Sequence, residues 1–171
     1  MEIKIEELSK KYLDQAIRLI HQIFITNPHD QDSPDIWFPA SLNPNTEDNK
    51  KHYEKLGVVK VKYFLALDGE KVIGTTGFYT LKKDVNEAYW LGWFSVHPRY
   101  RRIGIGMRLY KLIEEKAKKA GKEFIRLYTT DSKEEKNAQK FYDKIGLKIY
   151  KTEESTYSRR EKILYREKKI E

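Results

Sequence analysis

The chain has 171 residues, 39% hydrophobic and 35% charged, with no cysteine and a formal net charge of +8. That is enough apolar material for one domain around a buried core, and it rules out a disulfide framework, a thiolate metal site and a cysteine nucleophile. No apolar run approaches the ~18 residues of a membrane-spanning helix, and the opening "MEIKIEELSKKY" lacks the apolar stretch of a secretion signal, so a cytoplasmic protein that crosses no membrane is expected.

Ile3 and Ile5 alternate with charges, so residues 1–7 read as a strand. Leu13, Ala16, Ile17, Ile20 and Phe24 then recur at helical spacing, with Ser9 as the cap. Residues 27–45 have no period and are punctuated by Pro28, Pro34, Pro39 and Pro44, so they read as a long loop of the kind that is often functional. A weakly amphipathic helix over residues 46–56 stops at Gly57. "KYFLAL" and "KVIGTTGFYTL" flank Asp68-Gly69 as a hairpin. "EAYWLGWFSV" is a further strand ending at Val96, in which Gly92 marks a bulge or a close backbone approach. After "HPRYRRIGIG" comes the clearest helix, with Ile105, Leu109, Leu112, Ile113, Ala117 and Ala120 on one face and Gly121 at its end. "EFIRLYTT" is the next strand. Ser132 and Glu135 have capping-box spacing before a helix whose apolar face is Ala138, Phe141, Tyr142 and Ile145. "LKIYK" and "EKILYRE" close the chain as strands. The order β-α-α-β-β-β-α-β-α-β-β predicts a single-domain mixed α/β layer fold over residues 1–171 and not a doubly wound one.

Arg101, Gly104 and Gly106 fall where a strand turns directly into a helix. A helix N-terminus exposes unpaired N–H groups and the positive end of the dipole, glycines let an anion approach the backbone, and Arg101 and Arg102 add charge. These parts suit a phosphate or pyrophosphate; alone, they equally describe a tight strand-to-helix turn. The stretch is not a Walker loop, because Gly-x-x-x-x-Gly-Lys-Ser/Thr is absent, and Leu109 stands where a dinucleotide fingerprint needs its third glycine.

The surrounding residues add to this. Arg101-Arg102-Ile103-Gly104-Ile105-Gly106 matches Gln/Arg-x-x-Gly-x-Gly/Ala, preceded by Val96, Pro98 and Tyr100; the later "AQKFYDKIGL" matches Ala-x-x-Phe/Leu-Tyr-x-Lys-x-Gly-Phe at Ala138, Phe141, Tyr142, Lys144 and Gly146, with Leu147 as the last, looser position. With these two motifs and this element order, essentially the whole chain resembles the GNAT superfamily of acyl-CoA-dependent N-acyltransferases. The resemblance implies a mostly antiparallel central sheet, helices on both faces, splayed between its fourth and fifth strands to receive acetyl-CoA as cosubstrate. It implies that the backbone of Phe94, Ser95 and Val96 pairs with the pantetheine arm and that the amides of Arg101, Arg102, Ile103, Gly104, Ile105 and Gly106 take the pyrophosphate. An amine, on a small metabolite or a protein, attacks the thioester directly, and Tyr142 protonates the departing thiolate. From its residues alone Tyr142 reads first as a core tyrosine, since it lies on an apolar helix face. Homodimers are common in the family.

The pattern is not met everywhere. The glutamate base that many members carry on the fourth strand is Trp90 here. Glu87 lies three residues away, which strand alternation puts on the opposite face. The asparagine that often contacts CoA is replaced by Glu135, with Asn137 as a shifted substitute. A fold that binds CoA without catalysis is therefore a competing expectation. On the acceptor side, the segment between the first two helices holds Asp32, Trp37 and Phe38, carboxylate and aromatics suited to a cationic amine. The four histidines show no metal-ligand spacing, Ser95 lies in no Gly-x-Ser-x-Gly, and the lysine-rich stretches read as solvated surface and not as a nucleic-acid stripe.

Overall fold

The computed structural model describes residues 1–156 and 160–171. In chain order the elements are β1 (Ile3–Glu7), α1 (Leu13–Ile23), α2 (Pro34–Leu42), α3 (Glu47–Lys55), β2 (Val58–Asp68), β3 (Lys71–Leu81), β4 (Ala88–Leu91), β5 (Ser95–Val96), α4 (Ile105–Lys119), β6 (Phe124–Thr130), α5 (Lys136–Ile145), β7 (Lys148–Glu154) and β8 (Lys162–Lys169). The described strands form one sheet in the order β1-β2-β3-β4-β6-β8-β7, with β5 beside β3. All pairings are antiparallel except β4 with β6.

Successive residues of β2 face opposite helix layers, as the strand period requires. Tyr63, Leu65 and Leu67 pack with Ala16, Leu19 and Ile20 of α1 and Phe38 of α2. Phe64 faces the other way, into a cluster with Phe78, Tyr89, Ile125 and Leu127 of the sheet, Tyr110 and Ile113 of α4, and Tyr142 and Ile145 of α5. With helices on both faces, β2 is buried without a break from Tyr63 to Leu67. The Asp68–Lys71 pair closes the expected hairpin through Gly69, whose φ of +58° is glycine territory.

Three expectations change. The stretch 27–45 is not all loop: α2 lies within it, started by Pro34 in its first turn and tolerating Pro39 inside. Ser9 precedes a 3-10 turn, and its side chain makes no capping bond. The "EAYWLGWFSV" run is two short strands broken between Leu91 and Ser95.

Candidate functional site

β4 and β6 are paired only at Ala88↔Phe124, Tyr89↔Ile125 and Trp90↔Arg126. Past that rung they part. The Gly92 amide donates to Gly77 O at 3.0 Å, and β5 continues along β3 through Thr75↔Ser95 and Gly74↔Val96. β6 instead stays with β8 out to Thr130↔Ile163. The result is a wedge-shaped gap in mid-sheet. Its apex is held by the Arg126 guanidinium, which donates to Asp84 Oδ2 at 2.9 Å, to both oxygens of Glu87 at 3.0 and 3.1 Å, and to Glu167 at 3.0 Å. Asp84 Oδ2 also accepts from the indole of Trp90 at 2.9 Å. Glu87 precedes β4 in a turn, where strand alternation does not apply; its carboxylate reaches the same Arg126 that pairs with Trp90 and is not turned away from it. The hydrogen bonds from Arg126 hold Glu87 below the ordinary carboxylate range.

The break itself is unusual backbone. Trp93 has φ +39°, a left-handed conformation that costs a bulky residue about 1–2 kcal/mol. Its carbonyl accepts from Thr75 Oγ1 at 2.6 Å. His97 N donates to Ile73 O at 2.8 Å, which sets the hydrogen-bonded phase of β5: Ser95, two residues back, points its backbone groups at β3, and those of Phe94 and Val96 face the gap. Of the three residues expected to pair with the pantetheine arm, Ser95 turns its backbone to β3, and Phe94 and Val96 turn theirs to the gap.

At the wide end of this strand the chain enters α4. Arg102 (φ +64°) and Gly104 (φ +89°, the N-cap) bend it there, and a Cβ at Gly104 would meet nothing within 4 Å. Among the described residues, the amides of residues 102–107 donate to no backbone carbonyl; the first to do so is Arg108, to Gly104 O at 3.1 Å. Ile103 and Gly104 are exposed, as are Arg101 and Arg102. This is a row of free N–H groups on the positive end of a 15-residue helix, open to solvent. Ile105 anchors it from inside, 2% exposed. Arg101 Nε donates to Val96 O at 2.9 Å, folding the guanidinium back along the strand.

α5 crosses the same face. Its start is tied down by Glu135, whose carboxylate takes the Thr129 hydroxyl and the Thr130 amide and hydroxyl of β6, not a capping-box bond with Ser132. Arg166 of β8, itself 2% exposed, holds the middle through Gln139 Oε1 at 2.7 Å and Asp143 Oδ1 at 2.7 Å. Between these clamps Tyr142 sits 7% exposed, near the stacked rings of Phe94 and Phe141, whose centroids are 5.4 Å apart. Its hydroxyl makes no hydrogen bond among the described residues. Burial, reinforced by Glu135 and opposed by Arg166, raises Tyr142 above the ordinary tyrosine value, so the phenol keeps its proton at neutral pH. Asn137 is exposed on the first turn of the same helix.

On the opposite face, Ile25, Thr26, Asn27, Asp30, Asp32, Ser33 and Trp93 line a cavity of about 400 Å³. The indole of Trp93 is braced by Phe24 at 5.8 Å. The wall is fixed by His21, which bonds Thr26 on one ring nitrogen and Asp35 Oδ2 on the other at 2.6 Å. Tyr128 of β6 donates to Asp32 Oδ2 at 3.4 Å, linking this wall to the far side of the gap. Asp32, expected on the acceptor side, lines this cavity. Trp37 and Phe38 do not: at 7% and 0% exposure they pack on Tyr53, His52 and Tyr63 in the core, with no ring face left for a ligand. The aromatic of the wall is Trp93, whose only signal in the sequence was its position after Gly92. Asp84, Arg126 and Arg166 carried no signal, because their partners lie far along the chain. Among the described residues, no group of three or more His, Cys, Asp or Glu side chains could hold a metal ion, and no helix is long and apolar enough to cross a membrane.

The same architecture recurs in solved structures. A protein assigned as a GNAT-family acetyltransferase from Desulfovibrio desulfuricans superposes with a TM-score of 0.78 at 12% identity, covering 99% of this chain and 100% of its own. Arabidopsis thaliana Naa50 in complex with the bisubstrate analogue CoA-Ac-MVNAL gives 0.71 at 19% identity over 98% and 99% of the two chains. An aminoglycoside 6'-N-acetyltransferase complexed with coenzyme A gives 0.69 at 16% identity over 98% and 97%. No curated protein sequence matches the chain. The sequence model of the GNAT acetyltransferase family matches residues 23–147, a span that holds the gap, the free amides and Tyr142, and the chain belongs to that family.

Proposed function

We propose that the protein is an N-acetyltransferase that moves the acetyl group of acetyl-CoA to a primary amine. The observation that carries this is the row of unpartnered amides over residues 102–107, at the end of a strand whose Phe94 amide faces the gap unpaired among the described residues and whose Val96 carbonyl is held by Arg101 Nε. A pyrophosphate fits that row, and an extended amide-bearing arm fits beside Phe94 and Val96. One exposed dipole contact contributes only about 0.3–1 kcal/mol, so affinity comes from several N–H bonds acting together with the arm. The two CoA-bearing neighbours, an aminoglycoside enzyme and Naa50, are consistent with this choice of cosubstrate.

Each residue then has a task. Phe94 and Val96 align the arm. Residues 101–106 hold the phosphates, with Asn137 at the edge. The amine enters from the Asp32 and Trp93 wall, where a carboxylate and an indole face suit a cation. Its nitrogen bonds to the carbonyl carbon and gives up one proton to solvent, the carbon–sulfur bond breaks, and Tyr142 supplies the proton to the departing sulfur and regains one from solvent. The products are an N-acetyl amine and CoA.

A second reading, CoA binding without turnover, is favoured by one observation: the position of the family's glutamate base is a buried Trp90, and Glu87 is engaged by Arg126. Thiol release across a panel of small amines and peptides, with CoA binding measured in parallel, separates the two. Turnover above the no-amine control supports the transferase. CoA binding with no turnover on any amine supports the second reading. No CoA binding removes both.

A further inference from the structure

The break between β4 and β5 contains a hydroxyl chain that no motif anticipates. Thr75 on β3 is fully buried and Ser95 opposite it is 5% exposed. Their oxygens are 2.8 Å apart, and Thr75 Oγ1 lies 2.6 Å from Trp93 O. A threonine hydroxyl has one proton. The only acceptor in the pair of contacts that cannot itself donate is the Trp93 carbonyl, so Thr75 donates there and Ser95 donates to Thr75. The direction of the chain is thereby fixed: Ser95 to Thr75 to Trp93.

This chain sets the orientation of one peptide plane. The Trp93–Phe94 bond is trans, since there are no cis peptides among the described residues, so the Phe94 N–H points opposite to the Trp93 C=O. Thr75 pulls that carbonyl toward β3. The Phe94 N–H therefore points away from β3, into the gap, and it donates to no group among the described residues. The left-handed φ of Trp93 is what this orientation costs, and two buried hydroxyls hold it there.

The geometry points to Thr75, backed by Ser95, as a positioning residue that aims the Phe94 amide at the acyl carbonyl oxygen of the bound thioester. The inference rests on the acetyl-CoA reading above. It does not make Thr75 a catalytic residue: the threonine touches neither substrate, and it acts through the peptide it orients. An amide held in advance where negative charge develops on oxygen is worth far more than one that must reorient.

The test needs no knowledge of the amine. [1-13C]Acetyl-CoA bound to the wild-type protein is expected to show a red-shifted carbonyl stretch in isotope-edited infrared difference spectra, relative to free acetyl-CoA. Thr75→Val, nearly isosteric but without the hydroxyl, is expected to lose most of that shift, and Thr75→Ser to retain it. In parallel, S-acetonyl-CoA, which has a carbonyl, is expected to bind the wild type more tightly than S-ethyl-CoA, which has none. That preference should fall about 10-fold in Thr75→Val, the worth of one hydrogen bond, with S-ethyl-CoA affinity unchanged. Ser95→Ala, which keeps the Thr75 bond to Trp93, is expected to lose less. A wild-type carbonyl shift and ketone preference in a folded, CoA-binding Thr75→Val protein would overturn the inference and leave the function standing. If Thr75→Val does not fold, Ser95→Ala decides: no loss of shift or preference there overturns it. Absence of CoA binding by the wild type overturns both.

Discussion

Replacing Asp84 by alanine should cost the protein about 3 kcal/mol. The side chain is 5% exposed, and one of its oxygens serves two donors: the Trp90 indole and the Arg126 guanidinium, each at 2.9 Å. Alanine leaves the N–H of a tryptophan that is 2% exposed without an acceptor, which costs about 1–3 kcal/mol. Arg126 is not orphaned, because Glu87 and Glu167 still hold it, so the loss stays at the lower end of the roughly 3–5 kcal/mol seen when a buried pair is broken outright. For a chain of this length the melting temperature should fall by about 6–12 °C. Asp84→Asn keeps an oxygen for both donors and should cost about half as much. Asp84 Oδ1 is already buried without a partner, so the new amide group there meets an environment no better suited to it. Urea unfolding followed by far-ultraviolet circular dichroism gives the free energies, with the slope checked for two-state behaviour. The decisive comparison is the Trp90→Phe background, where the indole donor is gone and the alanine penalty should shrink by about 1–3 kcal/mol. An equal penalty in both backgrounds, or a loss below about 1 kcal/mol in the wild type, would refute the account of the apex.

Tyr142→Phe should lower kcat by about 10²-fold or more while CoA affinity, measured by calorimetry, stays near wild type; unchanged kcat would return the residue to the core. Gly104→Ala meets no steric obstacle from the protein but forces a left-handed alanine, so it should cost about 1–2 kcal/mol in stability and weaken CoA binding further, because its β-carbon stands beside the free amides. Glu87 is held below its ordinary value of 4.5 by Arg126, so its contribution to stability is complete above that pH and is lost on acidification below it. Glu87→Gln should therefore flatten the acid limb of the stability curve and leave the alkaline side unchanged; an unaltered acid limb would show that the pair does not act in solution.

What was legible in the sequence was what local chemistry announces. Gly104 and Gly121 bracket a periodic apolar face, and α4 lies between them. Asp68-Gly69 makes its hairpin. The two motifs located the amide row and Tyr142. What was not legible depends on tertiary placement. α2 has no amphipathic period because it is buried on several sides: Trp37, Phe38 and Ala40 are all in the core, so its prolines looked like loop punctuation. For the same reason its aromatics looked available when they are structural. Glu135 had capping-box spacing but found better donors on β6, 5 and 6 residues back. Thr75 could not be read at all, since its meaning comes from the register of β3 against a strand 20 residues later.

The engaged carboxylates around the gap bear on which amines can react. Asp84 and Glu87 are held by Arg126, and Glu135 by the end of β6. On the proposed acceptor side Asp30 and Asp32 both line the cavity, and Asp32 already accepts from Tyr128. With Trp90 in the base position, the fraction of amine that arrives neutral matters. At pH 7 an α-amine, with a pKa near 8, is neutral about one time in ten, and a lysine amine about one time in 10³. A peptide carrying both should be acetylated on its N-terminal amine at pH 7 with a preference of about 10²–10³-fold, and the preference should shrink as the pH rises toward 10. Mass spectrometry of one peptide with a free N-terminus and one internal lysine measures this directly. Equal modification of both amines at pH 7 would mean that a group in the site removes the proton, and Asp32→Asn would then be the variant to examine, since its carboxylate faces the gap from the amine's side.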